Sequence, residues 1–440
     1  MLGSVNTRFL QPDRGEPIPY LIDADALPAG ITLAQATNAV QQALNAWTAV
    51  TSLKFKLEGI VSFGQAASTI TTKDERLRIQ LHDNYNVITT PNVLGIGGRG
   101  ASSSPVSGVG WDLGGNVAGN EFMKTTYGYV VLESSSASMQ TLSTFTEVLC
   151  HEIGHALNMA HSSENSAEPD NTLKQAIMYY QAHADGRGAT LGTYDPPIIR
   201  QCYPFNTPPY SYSRVMEVTT GSPAQPNVPG INDVELRGYD LQGNSLTIQT
   251  NGATGVGTGD FSKSGNVIKF TPNNFWDTTP VDPATTSYYE LIYARFSDGT
   301  NASPLITVRV ISHSADRYPA TSDGIPDNWM STYLGNANPA AGPNRGAQQD
   351  YDGDGMKNID EYRAGMDPAS AASGQRITVI NRTNIQFQAK PYELYELHAS
   401  TNMTNWVRAV NPIIPTNTTG TFTGFTNNAP YMFFRVQKVP

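Results

Sequence analysis

The stretch from His151 to His161, HEIGHALNMAH in one-letter code, contains three of the seven histidines in the chain. Residues four apart lie on one face of an α-helix, so His151 and His155 would point their imidazoles in the same direction. The spacing therefore predicts two preset zinc ligands. Glu152 is rotated away from this pair, so it can face a water on the metal without being a ligand itself.

His161 is six residues beyond His155, which is too far for the same helical face. It can reach the same metal only if the helix ends and the chain turns back. Asn158 is the expected end of the helix because, after glycine, asparagine best tolerates the left-handed conformation found there. The stretch thus predicts a helix, a tight turn and three histidines around one zinc ion. A helix that carries these histidines by chance is the alternative.

This pattern resembles the HExxHxxGxxH motif of the metzincin metallopeptidases, with Asn158 where that family usually has glycine. Met178, in the string AIMYY, matches the methionine of the family's Met-turn. Ser162 and the AIMY string are most similar to the matrixins. The resemblance implies an α+β catalytic domain with zinc as its cofactor. Tyr180 matches a tyrosine near the metal in astacins and serralysins, which implies a catalytic or ligand role, although such tyrosines more often serve packing.

The length and charge of the chain limit the classes of function. A chain of 440 residues is expected to form about two to four domains. Its net charge of −10 argues against a nucleic-acid partner, because phosphate binding needs a basic face. No apolar run approaches the ~18 residues of a membrane span. The first residues lack the apolar core of a signal peptide, so either a signal was removed or the chain is not exported.

Residues 1–205 are expected to form the catalytic domain. Thr32 and Gln35 make a capping box before an amphipathic pattern, which predicts a helix. Alternating apolar and polar residues in KFKL, RLRIQLHD and GYVVLES predict three strands of a sheet. A second capping box, Thr144 with Glu147, is expected to begin the helix that carries the histidines.

The glycine-rich segment NVLGIGGRG lies between two of these strands. In matrixins a similar segment forms the edge strand above the cleft, where the substrate backbone pairs as an added strand. The resemblance therefore implies substrate binding by the residues Val93, Leu94, Gly95 and Ile96. A glycine- and serine-rich surface loop is the alternative.

The two cysteines of the chain both fall in this domain. Cys150 directly precedes the first histidine, so on a helix it points roughly 100° away from His151, toward the domain body. Cys202 lies in a segment that resembles the closing helix of metzincins, which packs against that body. This resemblance implies a disulfide between Cys150 and Cys202, and two buried thiols are the alternative.

The pattern changes after a proline-containing linker. Residues 213–312 show short alternating runs with turn signals, which predict an antiparallel all-β sandwich that resembles immunoglobulin-like or cadherin-like modules. Residues 374–440 alternate again and predict a second small β-sandwich. Its aromatic residues, Trp406 included, are expected mainly to pack in a core, with a carbohydrate-binding or cell-surface-binding face as the alternative.

Residues 317–370 predict a short helical spacer that binds calcium. DYDGDGMKNIDE matches the EF-hand loop at every position. The expected ligands are Asp350, Asp352, Asp354, the Met356 carbonyl, Asn358 directly or through a water molecule, and Glu361. SDGIPDNWM repeats the second half of the loop, so Asp323 and Asp327 are expected to form an incomplete second site in which Met330 replaces the closing glutamate. The pair resembles dockerin and thrombospondin type 3 repeats.

Together these features predict a secreted zinc endopeptidase in which Glu152 acts as general base on a peptide or protein substrate. The rival prediction, from another class, is a calcium-dependent extracellular adhesion or binding protein that uses the peptidase domain as a scaffold. A missing general base would favour that rival, but Glu152 is present.

Overall fold

The protein has a mixed α/β structure with several sheets and few helices. The computed structural model describes residues 3–102, 109–220, 233–255, 259–272, 290–316, 323–374, 376–425 and 432–439. No helix within these ranges has the length and apolar character needed to cross a membrane. The chain divides into two compact units: the first is Met1–Tyr210, Gly238–Gln249 and Arg295–Leu305, and the second is Ser211–Arg237, Thr250–Ala294 and Ile306–Pro440. The finer division into four domains stays a prediction.

Among its described residues, the N-terminal part of the first unit contains eight strands and four α-helices. The strands are β1 (Thr7–Arg8), β2 (Ile18–Asp23), β3 (Phe55–Ile60), β4 (Leu77–Gln80), β5 (Gly95–Ala101), β6 (Asn116–Val117), β7 (Asn120–Glu121) and β8 (Met123–Leu132). The helices are α1 (Leu33–Thr48), α2 (Leu142–Ala156), α3 (Asn171–Lys174) and α4 (Asp195–Ile199).

Six of these strands form one sheet with the order β1-β8-β4-β2-β3, in which β5 also pairs with β8. Strand β5 is antiparallel to β8, and the other pairs are parallel. The three predicted strands are confirmed, and NVLGIGGRG does contain a strand at the sheet's edge. Strand β2, in the middle of the sheet, was not predicted.

Helix α1 forms where the sequence predicts it. The Thr32 hydroxyl accepts a hydrogen bond from the Gln35 backbone, and the Gln35 side chain accepts one from the Thr32 backbone, which completes the capping box. Its apolar face is buried, and Trp47 donates from its indole nitrogen to the Cys150 carbonyl at 3.1 Å. Helix α1 therefore packs directly against α2.

Helix α2 begins two residues before the predicted cap, at Leu142, and no side chain caps its first turn. The predicted capping box of Thr144 and Glu147 is wrong. Glu147 is buried, and its carboxylate lies 2.6 Å from both the backbone nitrogen and Nδ1 of His183. The other ring nitrogen of His183 lies 2.7 Å from the Lys174 carbonyl. The Glu147 carboxylate therefore binds a distant loop instead of capping the first turn of its own helix.

The described residues between 214 and 315 form two sheets. The strands are β9 (Arg214–Thr220), β10 (Asp233–Glu235), β11 (Thr247–Gly255), β12 (Gly259–Ser264), β13 (Val267–Pro272), β14 (Glu290–Ser297) and β15 (Ile306–Ala315). Their orders are β10-β13-β12 and β11-β14-β15-β9. Strand β9 runs parallel to β15, which corrects the prediction of a wholly antiparallel arrangement. Alternation of apolar and polar residues fixes the face of a strand but not the direction of its partner.

The spacer contains helices α5 (Asp327–Leu334) and α6 (Asn358–Ala364). A small apolar core joins them and consists of Ile325, Met330, Leu334, Ala347 and Ile359. Met330 has none of its surface exposed. The residue that stands in place of the closing glutamate is therefore a core residue of the spacer.

The C-terminal segment forms two three-stranded sheets, as a small β-sandwich requires. The strands are β16 (Ile377–Ile380), β17 (Asn384–Gln388), β18 (Tyr395–Ser400), β19 (Val407–Arg408), β20 (Thr419–Thr423) and β21 (Phe433–Lys438). The orders are β16-β17-β20 and β19-β18-β21, with every pair antiparallel. Trp406 lies half-buried outside the apolar core, with the Arg435 guanidinium 4.7 Å from the centre of its ring.

Candidate active site and metal centres

The three predicted zinc ligands converge on one point. His151 and His155 project from α2, and His161 follows the turn that ends this helix. The Nε2 atom of His155 lies 3.0 Å from Nε2 of His151 and 3.2 Å from Nε2 of His161. Nitrogen ligands at about 2.0–2.1 Å from a tetrahedral zinc ion would lie roughly 3.3 Å apart. The three nitrogens therefore fit a single zinc ion.

The outer nitrogen of each ring is held by another group. Nδ1 of His151 lies 2.8 Å from the Ile177 carbonyl, and Nδ1 of His155 lies 2.8 Å from the Met159 carbonyl. Because a carbonyl oxygen only accepts, Nδ1 carries the proton in both rings and Nε2 keeps its lone pair for a metal. Nδ1 of His161 lies 3.3 Å from the exposed Glu164 carboxylate.

Burial also keeps two of these imidazoles neutral. It lowers the pKa of His155 to about 4. Burial and then the neighbouring His155 lower the pKa of His151 well below its usual value. Since only the neutral imidazole can coordinate a metal, the surroundings of both rings favour the ligand form at neutral pH.

The turn after α2 has the predicted conformation. Helix α2 ends at Ala156, Leu157 is its C-cap, and Asn158 has a φ angle of 85°. This left-handed residue reverses the chain, so that His161 returns to the two helical histidines. The prediction that Asn158 ends the helix is confirmed.

Glu152 lies directly beneath the edge strand β5. A Cβ atom at Gly95 would come within 2.7 Å of the Glu152 side chain, and one at Gly97 within 2.8 Å of the Glu152 carbonyl carbon. Only glycine permits this approach of strand to helix. Burial raises the pKa of Glu152 to about 8, although a hydrogen bond from the Gly97 backbone opposes the shift. The carboxyl group is thus enclosed between helix and strand.

The predicted substrate-binding residues lie at the beginning of this strand. Gly95 and Ile96 are its first two residues, while Val93 and Leu94 precede it. Strand β5 pairs with β8 along one edge, and no strand among the described residues pairs with its other edge. The backbone of β5 therefore keeps one edge on which an extended peptide could pair.

Met178 packs against Gly154, on the helix between His151 and His155, and its role in a Met-turn stays a prediction. It is fully buried, and its sulfur occupies the space that a Cβ atom at Gly154 would need. The buried Asp195 carboxylate, in the short helix α4, accepts hydrogen bonds from the Ile177 and Met178 backbones at 2.8 and 3.3 Å.

The ring of Tyr180 is centred 6.5 Å from that of His161, and the role of Tyr180 in catalysis or metal binding stays a prediction.

The predicted Cys150–Cys202 disulfide is wrong, because the structure has two separate buried thiols. The Cys150 sulfur lies 3.9 Å from the Ala43 carbonyl of α1. The Cys202 sulfur instead accepts a hydrogen bond from Asn158 at 3.5 Å, beyond the end of α2. At 1.5 Å per residue, Cys150 lies about 9 Å before the end of that helix. Helical geometry gave the direction of the Cys150 side chain but not the place of Cys202.

The EF-hand loop brings its carboxylates together around a buried glutamate. Asp350, Asp352 and Asp354 form one cluster. Glu361 is fully buried, and neither of its carboxylate oxygens has a hydrogen-bond partner among the described residues. Burial and then Asp352 and Asp354 raise the pKa of Glu361 to about 7. A buried carboxylate among other carboxylates requires a cation or a proton, and the loop's donor set suits calcium.

The structure corrects the predicted role of Asn358. Its side-chain oxygen accepts from the Tyr351 backbone at 3.1 Å, and its amide nitrogen donates to the Asn344 and Gly346 carbonyls at 2.9 Å. Asn358 therefore braces the loop from within rather than pointing at an ion. The Met356 backbone nitrogen donates to the Asp354 carboxylate at 2.7 Å, and the predicted contact of the Met356 carbonyl with calcium stays a prediction.

A third carboxylate accompanies the incomplete second site. Asp316 is fully buried just after β15 and accepts a hydrogen bond from the Gly324 backbone at 2.8 Å. Burial, with smaller effects from Asp323 and Asp327, raises the pKa of Asp316 to about 7. The sequence analysis did not predict a role for Asp316, because this residue lies outside the repeated motif. Its position as an aspartate at the end of an apolar strand could have indicated one.

Another cluster, of Asp23, Asp25 and His82, has the composition of a metal site. Its atoms are occupied by protein partners. The Asp23 carboxylate lies 3.1 Å from Nε2 of His82 and accepts from the Phe63 backbone at 2.9 Å, while Nδ1 of His82 accepts from the Asn84 backbone at 3.3 Å. This cluster is a hydrogen-bonded structural network.

No protein-family model matches this chain, and no curated protein matches it significantly. The geometry and chemistry of the site are therefore the basis for a proposed function.

Proposed function

We propose that the protein is a zinc-dependent endopeptidase of the metzincin type, with a matrixin-like catalytic domain. The observation that carries this proposal is the convergence of three Nε2 atoms at 3.0–3.2 Å, with the outer nitrogens of His151 and His155 fixed by carbonyl oxygens. The left-handed turn at Asn158 and the buried Met178 packed against Gly154 also support it.

The residues fit a catalytic rather than a structural zinc site. Three neutral imidazoles from His151, His155 and His161 would hold the ion and leave one position open. When bound, zinc would supply a Lewis acid that polarises the scissile carbonyl and lowers the pKa of water. Glu152 would take the proton of the attacking water and deliver it to the leaving amine.

The edge strand β5 would bind the substrate of this reaction. An extended peptide could pair with the edge of β5 that no strand among the described residues occupies. Gly95 and Gly97 bring the strand into contact with Glu152, so a peptide on β5 would run beside the general base. Backbone pairing favours cleavage within a polypeptide, which is endopeptidase activity.

We also propose that residues 350–361 bind one structural calcium ion. The support is Glu361, whose two buried oxygens face the loop's aspartates with no hydrogen-bond donor. A calcium-stabilised peptidase fits an exported protein, since extracellular calcium is high enough to fill weak sites. Secretion is therefore part of the proposal.

Digestion of a peptide library tests the peptidase function. The protein should cleave internal bonds, lose that activity with a zinc chelator and regain it when zinc is restored. Calcium should be present throughout, so that the chelator's effect on the loop at 350–361 is separated from its effect on zinc. A protein that binds zinc and leaves every peptide intact would refute the proposal.

A further inference from the structure

Arg99 joins three separate segments around the histidine cluster. It lies on strand β5, and its guanidinium donates to the His155 carbonyl at 3.2 Å and to the Asn158 side-chain oxygen. It also donates to the Thr7 hydroxyl at 2.5 Å and the Val5 carbonyl at 3.1 Å. One side chain thus connects the edge strand, the end of the histidine helix and the N-terminal segment.

Asn158 contributes more than a left-handed backbone. Its side-chain oxygen accepts from Arg99, its amide nitrogen donates to the Cys202 sulfur, and its carbonyl accepts from the Gly3 backbone at 2.7 Å. The residue is fully buried. A glycine would satisfy the φ angle of 85° but would make none of the side-chain contacts.

The surroundings of Arg99 make these contacts necessary. None of its hydrogen-bond partners is a carboxylate, and its charge faces the carbonyl end of α2, where a cation is favoured. A largely buried guanidinium is costly unless its N–H groups have acceptors. The Asn158 oxygen is one of only four such acceptors among the described residues, so its loss leaves a donor unmet.

The position of Arg99 continues the contact between β5 and α2. Alternate residues of a strand share one face, and Gly95, Gly97 and Arg99 all lie against the helix or its end. The first two bring the strand close to Glu152, and the third fixes it to His155 and Asn158. Asn158 lies three residues from each of His155 and His161, so a shift of its turn would move both.

We propose that Arg99 and Asn158 are positioning residues that hold the peptide-binding strand β5 in register with the histidines of the metal site. The register matters because a peptide on β5 must present its carbonyl to the metal and to Glu152 in one arrangement. The expected effect of these residues on cleavage rests on the proposed peptidase function. Their expected effect on metal binding does not.

Asn158→Gly is the decisive variant. Glycine is the residue most compatible with this backbone conformation, so the variant removes only the side-chain amide. If Asn158 merely replaced glycine, this variant would be neutral or stabilising. The proposal instead predicts zinc affinity lower by about 10–100-fold, as for other supporting groups of metal ligands, and a lower kcat. Asn86→Gly is the matched control, because Asn86 also has a positive φ angle but is exposed.

Arg99→Lys and Arg99→Gln provide a second, independent pair. Lysine keeps the charge and part of the reach, so it should retain more zinc affinity and kcat than glutamine does. The double variant Arg99→Gln with Asn158→Gly should be about as impaired as the worse single variant, because the two residues act as one unit. Thermal unfolding of every variant separates loss of position from loss of fold.

Zinc affinity is measured by competition with a metal-binding dye, and kcat and KM by peptide hydrolysis. Asn158→Gly that matches the wild-type protein in both, or additive effects in the double variant, would overturn the proposal. A wild-type protein that binds zinc but cleaves no peptide would refute the peptidase function alone. The zinc affinities of the variants would still decide whether Arg99 and Asn158 position the site.

Discussion

Replacing Gly97 with alanine would force strand β5 away from helix α2. The new Cβ would lie 2.8 Å from the Glu152 carbonyl carbon and closer still to its oxygen. Carbon atoms in contact are about 3.5 Å apart, so the two elements must separate by roughly 0.7 Å or more. A backbone carbonyl cannot rotate away as a side chain can. The strand would therefore lose its position over Glu152, the proposed general base.

A displacement of this size should be costly for catalysis. Misplacement of a bound substrate by about 1 Å can reduce the rate by around 100-fold, which corresponds to about 2.7 kcal/mol. Overpacking of a buried contact also destabilises a protein by about 1–3 kcal/mol. We therefore expect Gly97→Ala to lower kcat/KM by one to two orders of magnitude and to lower the melting temperature.

Gly98→Ala is the matched control on the same strand. Its Cβ would meet the Tyr129 hydroxyl at 2.5 Å, but that is the far end of a half-buried side chain that can move. Peptide hydrolysis and thermal unfolding should show a much smaller effect for Gly98→Ala than for Gly97→Ala. Equal activities for the two variants would refute the reasoning that β5 must lie against Glu152.

Three further predictions concern other parts of the chain. Glu361→Ala should weaken calcium binding by about tenfold or more in calorimetry, and unchanged affinity would contradict the EF-hand assignment. Alkylation of the unfolded, unreduced protein should modify both Cys150 and Cys202. An unmodified mass would instead show that the two cysteines form a disulfide. Burial opposes the charged form of His183, but its hydrogen bond with Glu147 raises its pKa above the ordinary value. The stability it adds should be present below about pH 6.5 and lost as pH rises through the higher folded pKa, so His183→Gln should lower the melting temperature more near pH 6 than near pH 9.

Local patterns in the sequence predicted much of the fold near the site. The spacing of His151 and His155 depends only on helical geometry, and the turn at Asn158 depends on one residue's conformational preference. The capping box of Thr32 and Gln35 is likewise a contact between neighbours. Each of these features is specified within a few residues of chain, so the sequence alone could reveal it.

Contacts between distant residues account for the errors. Glu147 fits a capping box but binds His183, which lies in a loop 36 residues away. Asn358 occupies a ligand position of the EF-hand motif, yet its side-chain amide donates hydrogen bonds to the backbone carbonyls of Asn344 and Gly346. No periodicity in the sequence shows which polar side chain a folded loop will use. Arg99 was missed for the same reason, because its partners come from two segments that are distant from it in the sequence.

The most direct test of the central claim is the zinc-loaded Glu152→Ala variant, measured for bound zinc and for peptide cleavage in the same sample. We expect one zinc ion per catalytic site, as in the wild-type protein, and no cleavage, because the proposal makes Glu152 the general base and the three histidines the metal ligands. Retained cleavage, or loss of stoichiometric zinc from this variant, would contradict it.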